Sequence, residues 1–121
     1  MKTTRFGANC MNNASPQDWD VWYASVLFED SNETKNRPVI IIDAQDALTV
    51  IAMKLTSKPA RLGEYSLSDW ASAGLKSPTV ARISKIAKLP KQNLIRRFGA
   101  LSQKDQNAIT DLMLKYYQLK K

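Results

Sequence analysis

The chain has 121 residues, 44% of them hydrophobic, which is enough for one domain with a buried core and excludes disorder throughout. Lys and Arg total 18 against 11 Asp and Glu, and the resulting formal charge of +7 either serves solubility or favours a polyanionic partner such as nucleic acid, an acidic protein or anionic lipid. A single cysteine and no histidine exclude an internal disulfide, a zinc site and histidine-based catalysis.

The first 17 residues are rich in Asn, Thr, Ser and Gly and contain a Ser-Pro pair, so they predict a flexible N-terminal arm. One domain is expected over residues 18–121. The arm has no apolar core of signal-peptide length, and nowhere do about 18 apolar residues run together. The sequence therefore predicts a cytoplasmic protein with no membrane segment.

Three strands are predicted next. In "WDVWYASVLF", residues 19–28, apolar side chains occupy both faces, which is typical of a strand buried on both sides, with Trp22 in the core. A polar loop over residues 29–36 separates it from "RPVIIID", where Pro38 is tolerable only near the start of a strand because it cannot donate to the ladder. "LTVIAMKLT", residues 48–56, completes the set.

The remaining elements mix helix and strand. "SLSDWASAG", residues 66–74, predicts a short helix that ends at Gly74, and residues 79–89 predict a strand. A helical turn near Pro90 is expected to lead into a strand that ends near Gly99. A C-terminal amphipathic helix follows, with Ser102 and Asp105 as an acidic capping box, and its apolar stripe comprises Ala108, Ile109, Leu112, Met113, Tyr116 and Leu119.

Strands over the first two-thirds of the chain and a terminal helix predict a mainly β (α+β) fold. It would be a small, strongly curved sheet or barrel with short helical inserts, packed against that helix.

The side chains able to act on a phosphodiester are Arg, Lys, hydroxyls and a few carboxylates. Arg37 near one strand start, Thr56 and Ser57 at the end of the next strand, and Arg82 in a later strand are candidates to meet at one rim of the sheet. Arginine suits this chemistry because its fork matches phosphate oxygens and stays protonated. Alternatively, the two arginines are solvated or ion-paired strand residues, and Thr56-Ser57 simply begins a turn.

The ordered set of sequence features resembles the PemK/MazF-like toxins of bacterial type II toxin–antitoxin pairs. The set comprises Trp22 in "WDVWYASVLFED", Arg37-Pro38 in "KNRPVIIID", Thr56-Ser57 in "IAMKLTSK", then "SPTVARISKIAKLPKQNLIRRFGALS" and a terminal helix. The resemblance covers residue 19 to about residue 115. It implies an SH3-like barrel with an appended helix, a symmetric homodimer, and inhibition by a cognate antitoxin.

The same resemblance implies metal-independent, cofactor-free cleavage of single-stranded RNA that leaves a 2′,3′-cyclic phosphate and a 5′-hydroxyl. It assigns phosphate stabilisation to Arg37, a place in the same site to Thr56 with Ser57 adjacent, and general-acid catalysis to Arg82. The basic side chains expected to bind RNA are Lys35, Lys54, Lys58, Arg61 and Lys85.

One position departs from the pattern. The PemK branch carries an aspartate two residues after the later arginine as its proposed base, and this chain has Ser84, a poor proton acceptor. Either another carboxylate substitutes or activity is weak. Glu29, Asp30 and Glu33 are the nearest carboxylates before Arg37 in sequence, and the alternative for each is a merely solvated loop residue.

Two further functions stay open. The first is a binding or interaction module that keeps the basic barrel without cutting, since this fold hosts many functions. The second, a structural or interaction protein, rests only on the unexplained arm. Trp19, Tyr65 and Trp70 are candidates either for stacking on unpaired bases or for the core.

Overall fold

The computed structural model describes residues 15–27 and 34–119. Within these ranges, six strands form one antiparallel sheet in the order β4-β5-β3-β2-β1-β6. The strands are β1 (Asp20–Leu27), β2 (Thr34–Asp43), β3 (Thr49–Thr56), β4 (Tyr65–Ser66), β5 (Val80–Pro90) and β6 (Leu94–Ala100), followed by helix α1 (Gln103–Leu119). The predicted mainly β fold with a C-terminal helix is confirmed, and the sheet is open, with β4 and β6 at its edges.

The first strand is central, as its apolar faces predicted. β1 pairs with both β2 and β6, and it buries Val21 on one face and Trp22 on the other. Because successive side chains of a strand point to opposite faces, a strand of this kind needs apolar cover on both sides.

Two apolar clusters provide that cover on opposite faces of the sheet. The first cluster also receives α1 and the segment before β5, and it comprises Val21, Ile40, Met53, Leu55, Leu67, Ala73, Ala81, Ile83, Leu101 and Ile109. The second cluster comprises Trp22, Ala24, Val26, Val39, Ile41, Val50, Ala52 and Leu89. The alternation of Val39, Ile40 and Ile41 between the clusters fixes which face each neighbouring polar residue occupies.

The second strand begins earlier than predicted. It starts at Thr34, so Arg37 and Pro38 are its fourth and fifth residues rather than its first two. Pairing between β2 and β3 begins only at Val39, so in the described part of the sheet Pro38 has a ladder partner only on its β1 side. A proline is tolerated there because a strand position paired on one side behaves as an edge.

The predicted helix over residues 66–74 is wrong. Ser66 belongs to strand β4, and residues 68–74 make only turns and bends, with Ala73 N–H donating to Asp69 O at 3.2 Å and Leu75 N–H donating to Trp70 O at 3.1 Å. Gly74, expected as the end of that helix, instead lies in a turn with a φ of +90°, and a Cβ there would clash with the carbonyl of Phe98 on β6. The segment is thus shaped by close packing on the sheet rather than by helix propensity.

The connection near Pro90 follows the prediction. A single 3-10 turn over Lys91–Asn93 leads directly into β6.

Helix α1 packs its predicted stripe on the first cluster through Ile109, Leu112, Met113 and Tyr116. The capping box is only half formed. Ser102 Oγ accepts from Asp105 N–H at 3.3 Å, but the Asp105 carboxylate binds the 65–69 segment instead of reaching back to the start of the helix.

In the described part of the chain, neither α1 nor any other helix has the length and apolar content to cross a membrane. Residues 1–14 of the predicted arm lie outside the described residues.

Candidate active site

The candidate residues lie on the face of the sheet that carries the second cluster. In β2, Arg37 is two residues before Val39, and in β3, Lys54 and Thr56 continue the alternation of Val50 and Ala52. Since Val39 pairs with Lys54, the same register places Arg37 level with Thr56. The apolar face of the second cluster therefore becomes polar at the end of the sheet that carries Arg37 and Thr56.

A β-bulge in β5 brings residues of this strand to the same polar end of the sheet. Met53 pairs with Ile86 and Leu55 pairs with Ala81, so four residues of β5 are opposite the single residue Lys54. Bulges of this kind re-aim side chains and recur beside active sites. This bulge spans Arg82 to Lys85.

These elements enclose an open cavity of about 440 Å³. All three predicted catalytic residues, Arg37, Thr56 and Arg82, line it, and so does Ser57. Its apolar walls are Val26, Leu55 and Pro59. We call this cavity the cleft.

The cleft is strongly basic. Its lining contains six cationic side chains and one carboxylate, Glu64; the cations are Arg37, Lys54, Lys58, Arg61, Arg82 and Lys85. Such a concentration of positive charge in a concave surface attracts polyanions and raises their local concentration. In the described ranges, no three acidic or cysteine side chains come together as a metal site would require.

Both alternative interpretations of the sequence hold in part. Thr56 Oγ1 accepts from Lys58 N–H at 3.2 Å, so it does begin a turn. Arg82 is ion-paired, with Nε donating to Glu64 Oε2 at 2.9 Å. Neither interaction removes the residue from the cleft.

Glu64 is held from two sides. Its Oε1 accepts from Arg61 N–H at 3.0 Å while Oε2 accepts from Arg82. Burial by itself would raise the pKa of Glu64, but the hydrogen bonds and charges of Arg61 and Arg82 outweigh it and hold the pKa below its usual value. Glu64 is therefore a firmly ionised carboxylate.

The comparisons with known proteins decide the family. Residues 17–115 match the family model described as "PemK-like, MazF-like toxin of type II toxin-antitoxin system". The chain belongs to this family. A sequence search of curated proteins gave no significant match.

Solved structures share the toxin fold. The Mycobacterium tuberculosis toxin MazF-mt6 has a TM-score of 0.68 and 21% identity, with 82% of this chain and 96% of that chain covered. An endoribonuclease in complex with its cognate antitoxin from a mycobacterial species has a TM-score of 0.68 and 17% identity, covering 86% and 96%.

Not every predicted residue of this PemK/MazF-like toxin reaches the cleft. Ser84 is exposed and does not line it, although it lies within the bulge, and Lys35 is exposed on β2 beyond Arg37. The loop carboxylates Glu29, Asp30 and Glu33 lie outside the described residues. Lys54, Lys58, Arg61 and Lys85 line the cleft.

The candidate stacking aromatics lie elsewhere. Trp19, Tyr65 and Trp70 pack against the first cluster, on the opposite face of the sheet from the cleft, and Trp22 is in the core. In the described part of the toxin, no aromatic side chain lines the cleft.

Sequence reasoning missed Glu64. The two-residue strand β4 pairs Tyr65 with Ala81, and this register sets Glu64 level with Arg82. A strand of two residues has no alternation to detect, so the only signal was a lone carboxylate eight residues after Thr56.

Proposed function

We propose that this toxin is a metal-independent endoribonuclease that cleaves single-stranded RNA without a cofactor and acts in the cytoplasm. The observation that carries the proposal is the cleft, which brings Arg37, Thr56 and Arg82 together. Its lining contains six cations, the two arginines included. Further support comes from a similar solved structure that is named an endoribonuclease.

The reaction is a transesterification. The 2′-oxygen of the substrate attacks the adjacent phosphorus and loses its proton, the bond from phosphorus to the 5′-oxygen breaks, and that oxygen gains a proton. The products are a 2′,3′-cyclic phosphate and a 5′-hydroxyl. Because the transition state gathers negative charge on the phosphate oxygens, fixed cationic donors stabilise it more than the substrate.

Arg37 takes this stabilising role, with the hydroxyls of Thr56 and Ser57 as further donors, and Arg82 is the general acid that protonates the departing 5′-oxygen. Guanidinium groups fit because two parallel N–H groups match two phosphate oxygens. Lys54, Lys58, Arg61 and Lys85 bind the flanking RNA backbone, where contacts position the strand without reading its sequence. Lys35 extends this basic surface from the exposed part of β2.

The proton acceptor is proposed among Glu29, Asp30 and Glu33. These residues lie in the connection between Leu27 and Thr34, whose flanking strands supply Val26 and Arg37 to the cleft. Ser84 is not assigned this role because it does not line the cleft and a hydroxyl is a poor acceptor.

Incubation with single-stranded RNA in EDTA tests the proposal. We expect cleavage, with fragment ends that carry a cyclic phosphate and a 5′-hydroxyl, and no cleavage where the scissile nucleotide is 2′-deoxy. The combined variant E29Q/D30N/E33Q should bind RNA and lose cleavage. RNA binding without cleavage by the wild type, across varied sequences, would instead identify a binding module on the same fold.

A second copy of the chain and an antitoxin are the proposed protein partners. Edge strand β6 exposes Ile95, with 51% of its surface accessible, and the cleft would accept an acidic antitoxin segment. We expect light scattering to give twice the chain mass of 13.6 kDa for the toxin alone. A monomer at micromolar concentration would contradict the homodimer.

A further inference from the structure

The ion pair between Arg82 and Glu64 holds two charged side chains of the cleft in a defined geometry. Arg82 Nε is 2.9 Å from Glu64 Oε2, and the two side chains are only 32% and 12% exposed. Partial burial strengthens such a pair relative to one in bulk water, because the surrounding dielectric is lower. The pair therefore defines where the Arg82 guanidinium sits.

Both oxygens of Glu64 are already occupied by donors. Oε1 accepts from Arg61 N–H, and the Glu64 N–H donates back to Arg61 O at 2.9 Å, so backbone and side chain are fixed together. A carboxylate held in this way by two donors is poorly suited to accept a proton from RNA, because accepting it would cost those charge-assisted hydrogen bonds. Its geometry suits holding a cation instead.

The contact with Glu64 is made by Nε of Arg82, and this determines how the guanidinium is oriented. A guanidinium has five N–H donors in one plane, and an acceptor at Nε sets that plane. Glu64 thus occupies the Nε side of the guanidinium and orients the Nη1–Nη2 edge, which stays able to bind a phosphate bidentately. Because Glu64 and Arg82 both line the cleft, this orientation is set where substrate would bind.

We propose that Glu64 is a positioning residue that aligns the Arg82 guanidinium for the scissile phosphate. The inference rests on the proposed RNA-cleaving function. It concerns the general-acid role proposed for Arg82, because the N–H that donates to the leaving 5′-oxygen must be held in reach of that oxygen. It also links the loop that carries Arg61 to the bulge of β5.

A double-mutant cycle tests the proposal. Cleavage of one RNA would be compared for the wild type, E64A, R82A and E64A/R82A, with E64Q as the conservative variant. We expect E64A to lower kcat by about 10- to 100-fold, the size of one charge-assisted hydrogen bond, and R82A to lower it at least as much. Since Glu64 acts through Arg82, adding E64A to R82A should have no further effect.

The conservative and control variants separate positioning from other roles. E64Q keeps a hydrogen-bond acceptor for Nε and should recover part of the activity lost in E64A. D111A removes an exposed carboxylate from α1 and should cleave like the wild type. The proposal would be overturned if E64A lowered kcat by the same factor in the R82A background as in the wild type. It would also be overturned if E64Q were as inactive as E64A and had the same effect on kcat in both backgrounds.

Two readouts do not need cleavage. In the first, the Nε–H proton of Arg82 should give a slowly exchanging NMR signal in the wild type that is lost in E64A. In the second, the four proteins of the cycle (the wild type, E64A, R82A and E64A/R82A) are compared for binding to a single-stranded DNA that cannot be cut. If the wild type cuts no RNA, the proposed function fails, and the binding cycle still decides on Glu64: non-additive losses support positioning and additive losses overturn it.

Discussion

Arg37→Ala is expected to lower the rate of RNA cleavage by roughly 10²–10³-fold while the protein stays folded, the range seen when one transition-state donor is removed. Arg37 lines the cleft on the same face as Thr56, level with it in the register of β2 and β3. Its side chain is exposed, so its loss should change the free energy of unfolding by less than about 1 kcal/mol. The measurement is the single-turnover rate on labelled RNA, with thermal unfolding in parallel.

Two further variants sharpen this prediction. Arg37→Lys keeps the charge but loses the planar fork, so cleavage should fall to an intermediate rate. Lys104→Ala removes one positive charge from an exposed site on α1, outside the cleft, and should cut at the wild-type rate. Near-wild-type cleavage by Arg37→Ala would remove Arg37 from the mechanism.

The long, strongly patterned elements were predictable from the sequence. β1, β2, β3 and β5 have apolar alternation because each is covered by a cluster on one or both faces, and α1 has its stripe because it covers only one side of the sheet. The helix over residues 66–74 was mispredicted because long-range contacts shape this segment: Gly74 packs on the backbone of β6, and the amides of Ser68 and Asp69 bind a carboxylate from α1.

The site was predictable where it lies on regular strands. Arg37 and Thr56 follow from alternation and register, and Arg82 follows Ala81 onto the opposite face. Ser84 could not be placed because the bulge between Ala81 and Ile86 breaks the period of two just where that residue lies. The cleft residues on regular strands were therefore predictable from the sequence, whereas the placement of residues within the bulge depends on irregular geometry that the sequence does not show.

Asp105→Ala is expected to be the most destabilising of these substitutions, lowering the free energy of unfolding by about 3 kcal/mol or more. The Asp105 carboxylate is fully buried and accepts three hydrogen bonds, from Tyr65 Oη at 2.6 Å, Ser68 N–H at 3.0 Å and Asp69 N–H at 2.9 Å. Removing it leaves three donors without their acceptor, each at a desolvation cost of about 1–3 kcal/mol unless water enters. Urea unfolding with an unchanged m-value would measure the loss.

Tyr65→Phe separates one hydrogen bond from the rest. It should cost about 1 kcal/mol in the wild type and almost nothing in the Asp105→Ala background, because the phenol then has no buried carboxylate to bind. Burial first, and the hydrogen bond to Asp105 second, raise the pKa of Tyr65, so this contribution is present below pH 10 and is lost as pH rises through the folded-state pKa. Equal effects of Tyr65→Phe in both backgrounds would contradict the coupling.

Asp105→Ala should also lower the rate of RNA cleavage in the cleft. Tyr65 directly follows Glu64, and its pairing with Ala81 sets Glu64 level with Arg82. Loss of the Asp105 anchor frees Tyr65 and so loosens β4, the shortest strand of the described sheet, together with the carboxylate that aligns Arg82. At temperatures where Asp105→Ala is still folded, cleavage should therefore fall while RNA binding by the lysines of the cleft persists, whereas unchanged cleavage would show that β4 keeps its register without the helix.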